Sequence, residues 1–243
     1  MTGSLHIAVL CDVHGNLPAL QSVLDDIDRY GRFDHVVAAG DYCLNGPEPA
    51  ECLDLVLGWA DVLLKGNTDR DLVDEGASDP DLGEKKRAAI AWTREQLGER
   101  RIGLLDGLDF DHRVEAPDGT SILIVHANPL DLDTHISPDM TEDEVNQIVG
   151  GVDASLLVFG HLHIPYERVV GPLRLFDVSS VGLPRDGDRR AAWGEFSWSP
   201  DSGWEGRIHR VGYDYGETVL RILDSGMPHR ERRIRDLLRA SYD

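Results

Sequence analysis

Five short apolar runs, each ending in a residue type that binds metals, constrain this chain more than any other feature. Residues 5–11 run into Asp12-Val13-His14, residues 35–39 into Gly40-Asp41, and residues 61–65 into Gly66-Asn67. Residues 121–125 end at His126, and residues 155–159 end at Gly160-His161-Leu162-His163. Short β-branched runs bounded by glycine or polar residues read as strands buried on both faces. Helical patterns separate the first three. Residues 17–30 put Leu17, Leu20, Val23, Leu24 and Ile27 on one face, and residues 49–59 do the same with Leu53, Val56 and Leu57. Strand–helix–strand alternation implies a parallel sheet with right-handed crossovers. Such sheets bind ligands beyond the carboxyl ends of their strands, so all five polar termini are expected along one edge.

Each terminus alone has an ordinary reading. Asp12 stands close enough to the first helical pattern to act as its N-cap, and an Asn beside Gly usually marks a turn. The convergence of all of them is what points to chemistry. Histidine combined with carboxylate and carboxamide oxygens suits divalent Mn, Fe, Zn or Co better than Ca or Mg.

In order, Asp12-Val13-His14, Gly40-Asp41, Gly66-Asn67-Thr68-Asp69, His126 and Gly160-His161-Leu162-His163 resemble the five motifs of the calcineurin-like metallophosphoesterases. The flanks 11–17, 46–49 and 180–187 resemble the small bacterial and archaeal phosphodiesterase branch. That resemblance implies an α/β fold, a four-layer α/β/β/α sandwich of two mixed sheets. It implies hydrolysis of a phosphate ester or anhydride in a small phosphorylated substrate by metal-activated water. Two divalent cations are implied as cofactors, manganese first, with iron or zinc behind it. Carried over by motif, Asp12, His14 and His163 would hold the first ion, and Asn67, His126 and His161 the second. Asp41 would bridge them, at the roughly 3.5–4 Å typical of two-metal sites. Asp12, Asp41, Asn67, His126, Thr68 and Asp69 form the expected catalytic set. Asn16 and Asn45 are expected either to face phosphate or to support the ligands from behind, and Arg185 to face phosphate, with an ion pair to Asp186 or Asp188 as its alternative.

Two departures stand out. The family commonly has histidine where this chain has Thr68, whose hydroxyl is too weak an acid to replace an imidazolium. Activated aryl diesters and anhydrides are therefore expected to react better than alkyl monoesters. Residues 177–179 replace a stretch that is often Asn-Pro-Gly-like, which implies a changed loop over the site.

The remaining sequence sets the frame. A chain of 243 residues can bury one large core, and residues 1–243 read as one domain with C-terminal helices at about 216–243 packed on it. Four strands are expected at 165–170, 173–178, 190–199 and 204–212, with a loop or lid at 74–84. Acidic side chains outnumber basic ones 44 to 24, a net charge of −20, which disfavours nucleic-acid backbones and anionic membranes. Neither a membrane span nor a signal peptide is read, so a cytoplasmic protein is expected. Cys11, Cys43 and Cys52 read as buried packing residues rather than a disulfide framework. The sequence carries no signal of oligomeric state.

Rival enzymes fit less well. A metallo-β-lactamase-type site would need Asp-His shortly after His163, where Ile164-Pro165-Tyr166 stands, and a Rossmann enzyme would need G-x-G-x-x-G after the first strand. The non-enzyme alternative is a metal-binding scaffold or regulatory protein on the same fold, since fold alone does not fix function.

Overall fold

Side-chain alternation in the first strand explains the layering. In β1 (Leu5–Leu10) and the residue after it, Ile7, Val9 and Cys11 point to one side, while Ala8 and Leu10 point to the other. The second side meets Leu20, Val23, Leu24 and Ile27 of helix α1 (Leu17–Arg29) and Leu53 and Val56 of α2 (Pro49–Trp59). The first side packs on Ile122 and Ile124 of β5 (Ser121–Val125), Leu156 and Val158 of β6 (Leu156–Phe159) and Phe176 of β8 (Leu173–Asp177). On the far face of that second sheet, Leu123, Leu157 and Phe159 meet Val145 and Val149 of α5 (Glu142–Val149). The result is the α/β arrangement of two stacked sheets with helices outside each.

The computed structural model describes residues 3–74 and 82–242. One sheet has the order β10-β9-β1-β2-β3 and the other β4-β5-β6-β8-β7. In the first, β2 (His35–Ala38) lies parallel to β1, and β3 (Val62–Leu63) parallel to β2. β9 (Ala191–Ser199) runs antiparallel to β1, pairing Ile7 with Phe196, and forms a hairpin with β10 (Gly203–Val211). In the second sheet β5, β6 and β8 are parallel, flanked by antiparallel β4 (Asp111–Glu115) and β7 (Tyr166–Val170). Both sheets are therefore mixed.

The five ligand-bearing strand ends do not share one parallel sheet, as strand–helix alternation alone suggests. β1, β2 and β3 deliver theirs from one sheet, β5 and β6 from the other, and stacking brings the two rows together. The chain also builds helices that the patterns above do not assign: α3 (Asn67–Val73), α5, and the long α4 (Glu84–Asp106), which breaks at Gly98 with φ +68°. Most of the loop or lid expected at 74–84 lies outside the described residues.

Two helices close the chain. α6 (Tyr215–Asp224) hydrogen-bonds α1's cap through Thr218 Oγ1 to Asn16 Oδ1 at 3.0 Å, and Arg221 pairs with Glu48. α7 (Arg230–Arg239) follows, and beyond it Tyr242 donates to the Leu162 carbonyl between the two motif histidines at 2.5 Å. Among the described residues no helix is long and apolar enough to cross a membrane.

Candidate metal centre

Five of the seven expected ligand residues have left-handed backbone: Asp12, His14, Asp41, His161 and His163, with φ between 48° and 67°. That conformation is unfavourable for residues bearing a Cβ and persists only where surroundings enforce it. Here the strand ends turn sharply, and neighbouring backbone locks the turns. Asp12 N donates to Gly40 O at 3.0 Å, His14 N to Asp41 O at 2.9 Å, and Gly182 N to Asp12 O at 2.9 Å. The turns aim side chains from successive strands into one volume.

Motif glycines make the approach possible. A Cβ on Gly66 would lie 2.1 Å from Asp41 Oδ1, and one on Gly160 would lie 2.5 Å from Asp12 Oδ2. Each glycine is thus required by the neighbouring carboxylate.

Three imidazoles share a common posture. Nδ1 of His14 meets Leu44 O at 2.9 Å, that of His163 meets Leu183 O at 2.6 Å, and that of His126 meets Ala39 O at 2.8 Å. A carbonyl can only accept, so each Nδ1 carries the hydrogen and each Nε2 presents a lone pair to the cluster. His161 is reversed: its Nε2 meets Asp133 O at 3.0 Å, leaving Nδ1 as the nitrogen not so engaged.

The exposed lone pairs converge. His14 Nε2 lies 3.3 Å from His163 Nε2 and 3.6 Å from Asp12 Oδ1, which is itself 3.0 Å from His163 Nε2. On the other side His126 Nε2 lies 3.0 Å from Asn67 Oδ1. Asp41 faces both sides, with Oδ2 3.7 Å from His14 Nε2 and Oδ1 3.6 Å from His126 Nε2. Such acceptor-to-acceptor approaches are repulsive unless positive charge lies between them. The separations suit atoms each roughly 2.1 Å from a shared ion.

Charge gives the same answer. Asp12 and Asp41 are almost fully buried, and no Lys or Arg among the described residues pairs with either. Buried carboxylates are costly without a counter-charge. Burial opposes the charge on Asp12, yet His163 and His14 outweigh it and hold its pKa well below the usual range. Burial would depress His126, but Asp41 and Asp12 raise its pKa above the ordinary value. Asp12, His14 and His163 fit a metal ion as a compact group.

Cys11, Asp12 and His126 also come close together. The Cys11 thiol donates to Ala39 O at 3.1 Å, and burial followed by Asp12 pushes its pKa up. A thiol kept protonated in this way is a packing residue, as expected from sequence. Cys43 and Cys52 are likewise free and buried.

Asp69 and Thr68 sit behind the ligands. The Asp69 carboxylate accepts from Asp41 N at 2.7 Å, Gly66 N at 2.9 Å and Tyr42 N at 3.2 Å, fixing two motif turns together. Burial and then Asp41 raise its pKa to about 7. Thr68 donates its N–H to Asp41 Oδ1 at 2.9 Å, while its buried Oγ1 has no hydrogen-bond partner.

The residues expected to face phosphate divide. Asn16 spends its amide on structure, capping α1 at Ala19 N and donating to Gly182 O at 3.0 Å and Tyr213 Oη at 3.3 Å. Asn45, at φ +77°, and Arg185 line a cavity beside the centre. Arg185 donates to Ser241 O at 2.8 Å and lies 3.8 Å from Asp236. Asp186 and Asp188, its expected partners, pair instead with Arg210 and Arg190.

Sequence reading missed the loop that supports His161. Asn128 and Asp131 organise it through side chain-to-backbone hydrogen bonds, Asp133 supplies the carbonyl, and the His135 ring lies 4.5 Å from that of His161. Asp133 is held by both guanidinium nitrogens of Arg70, at 2.7 and 3.1 Å. The only available signal was the Asn-x-x-Asp spacing, a turn pattern that does not reveal its target.

Comparison with known proteins agrees with this geometry. Residues 5–165 match the family model described as calcineurin-like phosphoesterase. The uncharacterized protein MJ0912 of Methanocaldococcus jannaschii is 29% identical over 240 residues, covering 91% of this chain and 93% of that protein. Among solved structures, a metallophosphoesterase from Sphaerobacter thermophilus superposes with a TM-score of 0.77 at 25% identity, covering 98% of this chain and all of the other. The hypothetical protein PH1004 from Pyrococcus horikoshii gives 0.80 at 20% identity, covering 98% and 99%, a likeness of fold. The chain belongs to the calcineurin-like phosphoesterase family.

Proposed function

We propose that this chain is a two-metal phosphoesterase, acting first on phosphodiesters, with manganese as the preferred ion and iron or zinc as substitutes. One observation carries the reading: the two oxygens of Asp41 face two different histidine groups, 3.7 Å from His14 and 3.6 Å from His126. Asp12, His14 and His163 would hold one ion, and Asn67, His126 and His161 the other, with Asp41 shared. When bound, the ions supply Lewis-acid activation of water and charge neutralisation at the phosphate.

The protein's own part is positioning. The backbone carbonyls at Ala39, Leu44 and Leu183 fix three imidazole tautomers, and Asp69 fixes the turn that carries Asp41. Neutral Asn67 supplies an oxygen donor without adding negative charge, which keeps the site attractive to a phosphate anion. Thr68 Oγ1 is free to donate a hydrogen bond to a bound ester, but it cannot serve as a strong acid. Leaving groups that need little protonation are therefore favoured.

The test is hydrolysis of bis-p-nitrophenyl phosphate and p-nitrophenyl phosphate by metal-stripped protein titrated with Mn²⁺. Mn-dependent turnover, faster on the diester, is expected, together with loss of metal and activity in Asp41→Asn. Full activity in that variant would overturn the assignment. Stoichiometric metal binding with turnover of neither ester would favour the second reading, a metal-binding scaffold or regulator. The absence of an acid at Thr68 is the observation behind that alternative.

A further inference from the structure

A cavity of about 490 Å³ opens beside the metal centre, bordered there by Leu44, Asn45 and Thr68. Its lining also includes Lys85, Lys86, Arg185, Arg232 and Arg233, with Asp236 as the one carboxylate among the described lining residues. In a chain of net charge −20 this is a local reversal of sign. Most of these cations already have protein partners. Lys86 lies 2.6 Å from Asp71, and Arg185 and Arg232 each lie 3.8 Å from Asp236.

Arg233 is different. It is only 8% exposed, and its guanidinium makes no hydrogen bond or ion pair with any described residue. A buried cation without a partner is costly, and such groups are normally paired. Burial, followed by repulsion from Arg185, pulls its pKa down to about 9 against the partial attraction of Asp236, a penalty that a bound anion would relieve. On the side nearer the metals, the Thr68 hydroxyl is also buried without a partner. The buried Thr68 hydroxyl and the Arg233 guanidinium, neither hydrogen-bonded to a described residue, therefore line one cavity, whose volume suits a small molecule.

We propose that this cavity is a second anion subsite, in which Arg233, assisted by Lys85, holds a phosphate of the substrate other than the one cleaved. The planar fork of a guanidinium matches phosphate oxygens two at a time, and Lys85 adds an exposed charge. The substrate class is then a small phosphoester with a further phosphate, such as a nucleotide phosphorylated at both ends of its sugar. The inference rests on the phosphoesterase reading for the cleaved group and on Arg233 for the other.

Two chromogenic compounds isolate the second phosphate: thymidine 5′-(p-nitrophenyl phosphate) with and without a 3′-phosphate. On the Mn-loaded protein, kcat/KM is expected to favour the 3′-phosphorylated compound about tenfold, chiefly through KM. In Arg233→Met the ratio should fall towards one; reading it within one protein cancels any general loss of folded material. Equal kcat/KM in the wild type, or an unchanged ratio in the variant, overturns the proposal. Calorimetric titration with thymidine 3′,5′-bisphosphate and thymidine 5′-monophosphate reads the same preference without turnover. A tenfold preference for the bisphosphate that Arg233→Met abolishes, in a protein that hydrolyses neither ester, upholds the subsite and sinks the hydrolase. Hydrolysis without any preference does the reverse.

Discussion

The Asp69 carboxylate takes the backbone N–H of Asp41 at 2.7 Å and so holds in place the residue that faces both histidine groups. It accepts two further backbone donors, Gly66 N and Tyr42 N. Asp69→Asn leaves one carbonyl oxygen for three donors and turns an amide N–H towards the rest. We expect it to cost about 2 kcal/mol of stability in urea unfolding and to weaken Mn²⁺ binding. An unchanged urea midpoint with unchanged metal affinity would show that Asp69 only fills space.

Gly66→Ala separates steric need from backbone need. Gly66 has φ −95° and ψ 171°, which alanine adopts freely, yet the new Cβ would sit 2.1 Å from Asp41 Oδ1. The expected cost is about 1–3 kcal/mol, with metal stoichiometry falling because Asp41 must move. A variant as stable as the parent and with full metal content would disprove the close approach.

Asp131 gives a pH signature. Burial opposes its charge, but N–H groups of Thr134 and Asp133, with the Thr134 hydroxyl and Asn128 amide, lower its pKa to about 2. A carboxyl with a depressed folded-state pKa stabilises the protein above its unfolded value near 4, and that contribution disappears as pH falls from about 4 to 2. After allowance for solvent screening it is worth about 1 kcal/mol. Urea unfolding of wild type and Asp131→Ala should therefore differ by that amount at pH 6, by about half of it at pH 3, and converge towards pH 2. A gap that is constant with pH would mean that the carboxylate's charge plays no part in holding the loop.

Thr68→His tests the missing acid. With an imidazole beside Asp41, alkyl phosphate turnover is expected to rise about a hundredfold, while p-nitrophenyl esters change little because their leaving group needs no proton. A parallel rise in both classes would point to binding rather than protonation. The isosteric Thr68→Val removes only a hydroxyl that has no protein partner, so its stability should stay within about 1 kcal/mol of the parent.

Much of the centre was legible because its information is local. Each candidate sits at the end of an apolar run, so Asp12, His14, Asp41, Asn67, His126, His161 and His163 could be singled out without knowing which strands pair, and the structure brings their side chains together. Strand pairing was not legible in the same way. The neighbours of β1 are β2, which follows it closely, and β9, nearly the whole chain away, and no local period encodes that second contact. Helix α4 escaped notice because it is heavily charged, broken at Gly98, and buries only scattered positions such as Ile90, Leu97 and Leu105. Arg233 was hidden for a related reason. It lies in Arg-Glu-Arg-Arg-Ile-Arg-Asp, where every cation reads as solvated and nothing distinguishes the one that folds inward. The Asp133 carbonyl that meets His161 is backbone, which any residue would provide.

The left-handed backbone at Asp12, His14, Asp41, His161 and His163 has a consequence for descent. A lineage that abandons this chemistry but keeps the stacked sheets is expected to retain the turns and to drop only the side chains. Glycine and asparagine are the residues most at ease at such angles. Retired copies of the gene are therefore expected to carry Gly or Asn at these positions far more often than Ala, Val or Leu. Loss of function would leave a recognisable signature in their sequences, and a random assortment there would mean that the turns relax once the ligands are gone.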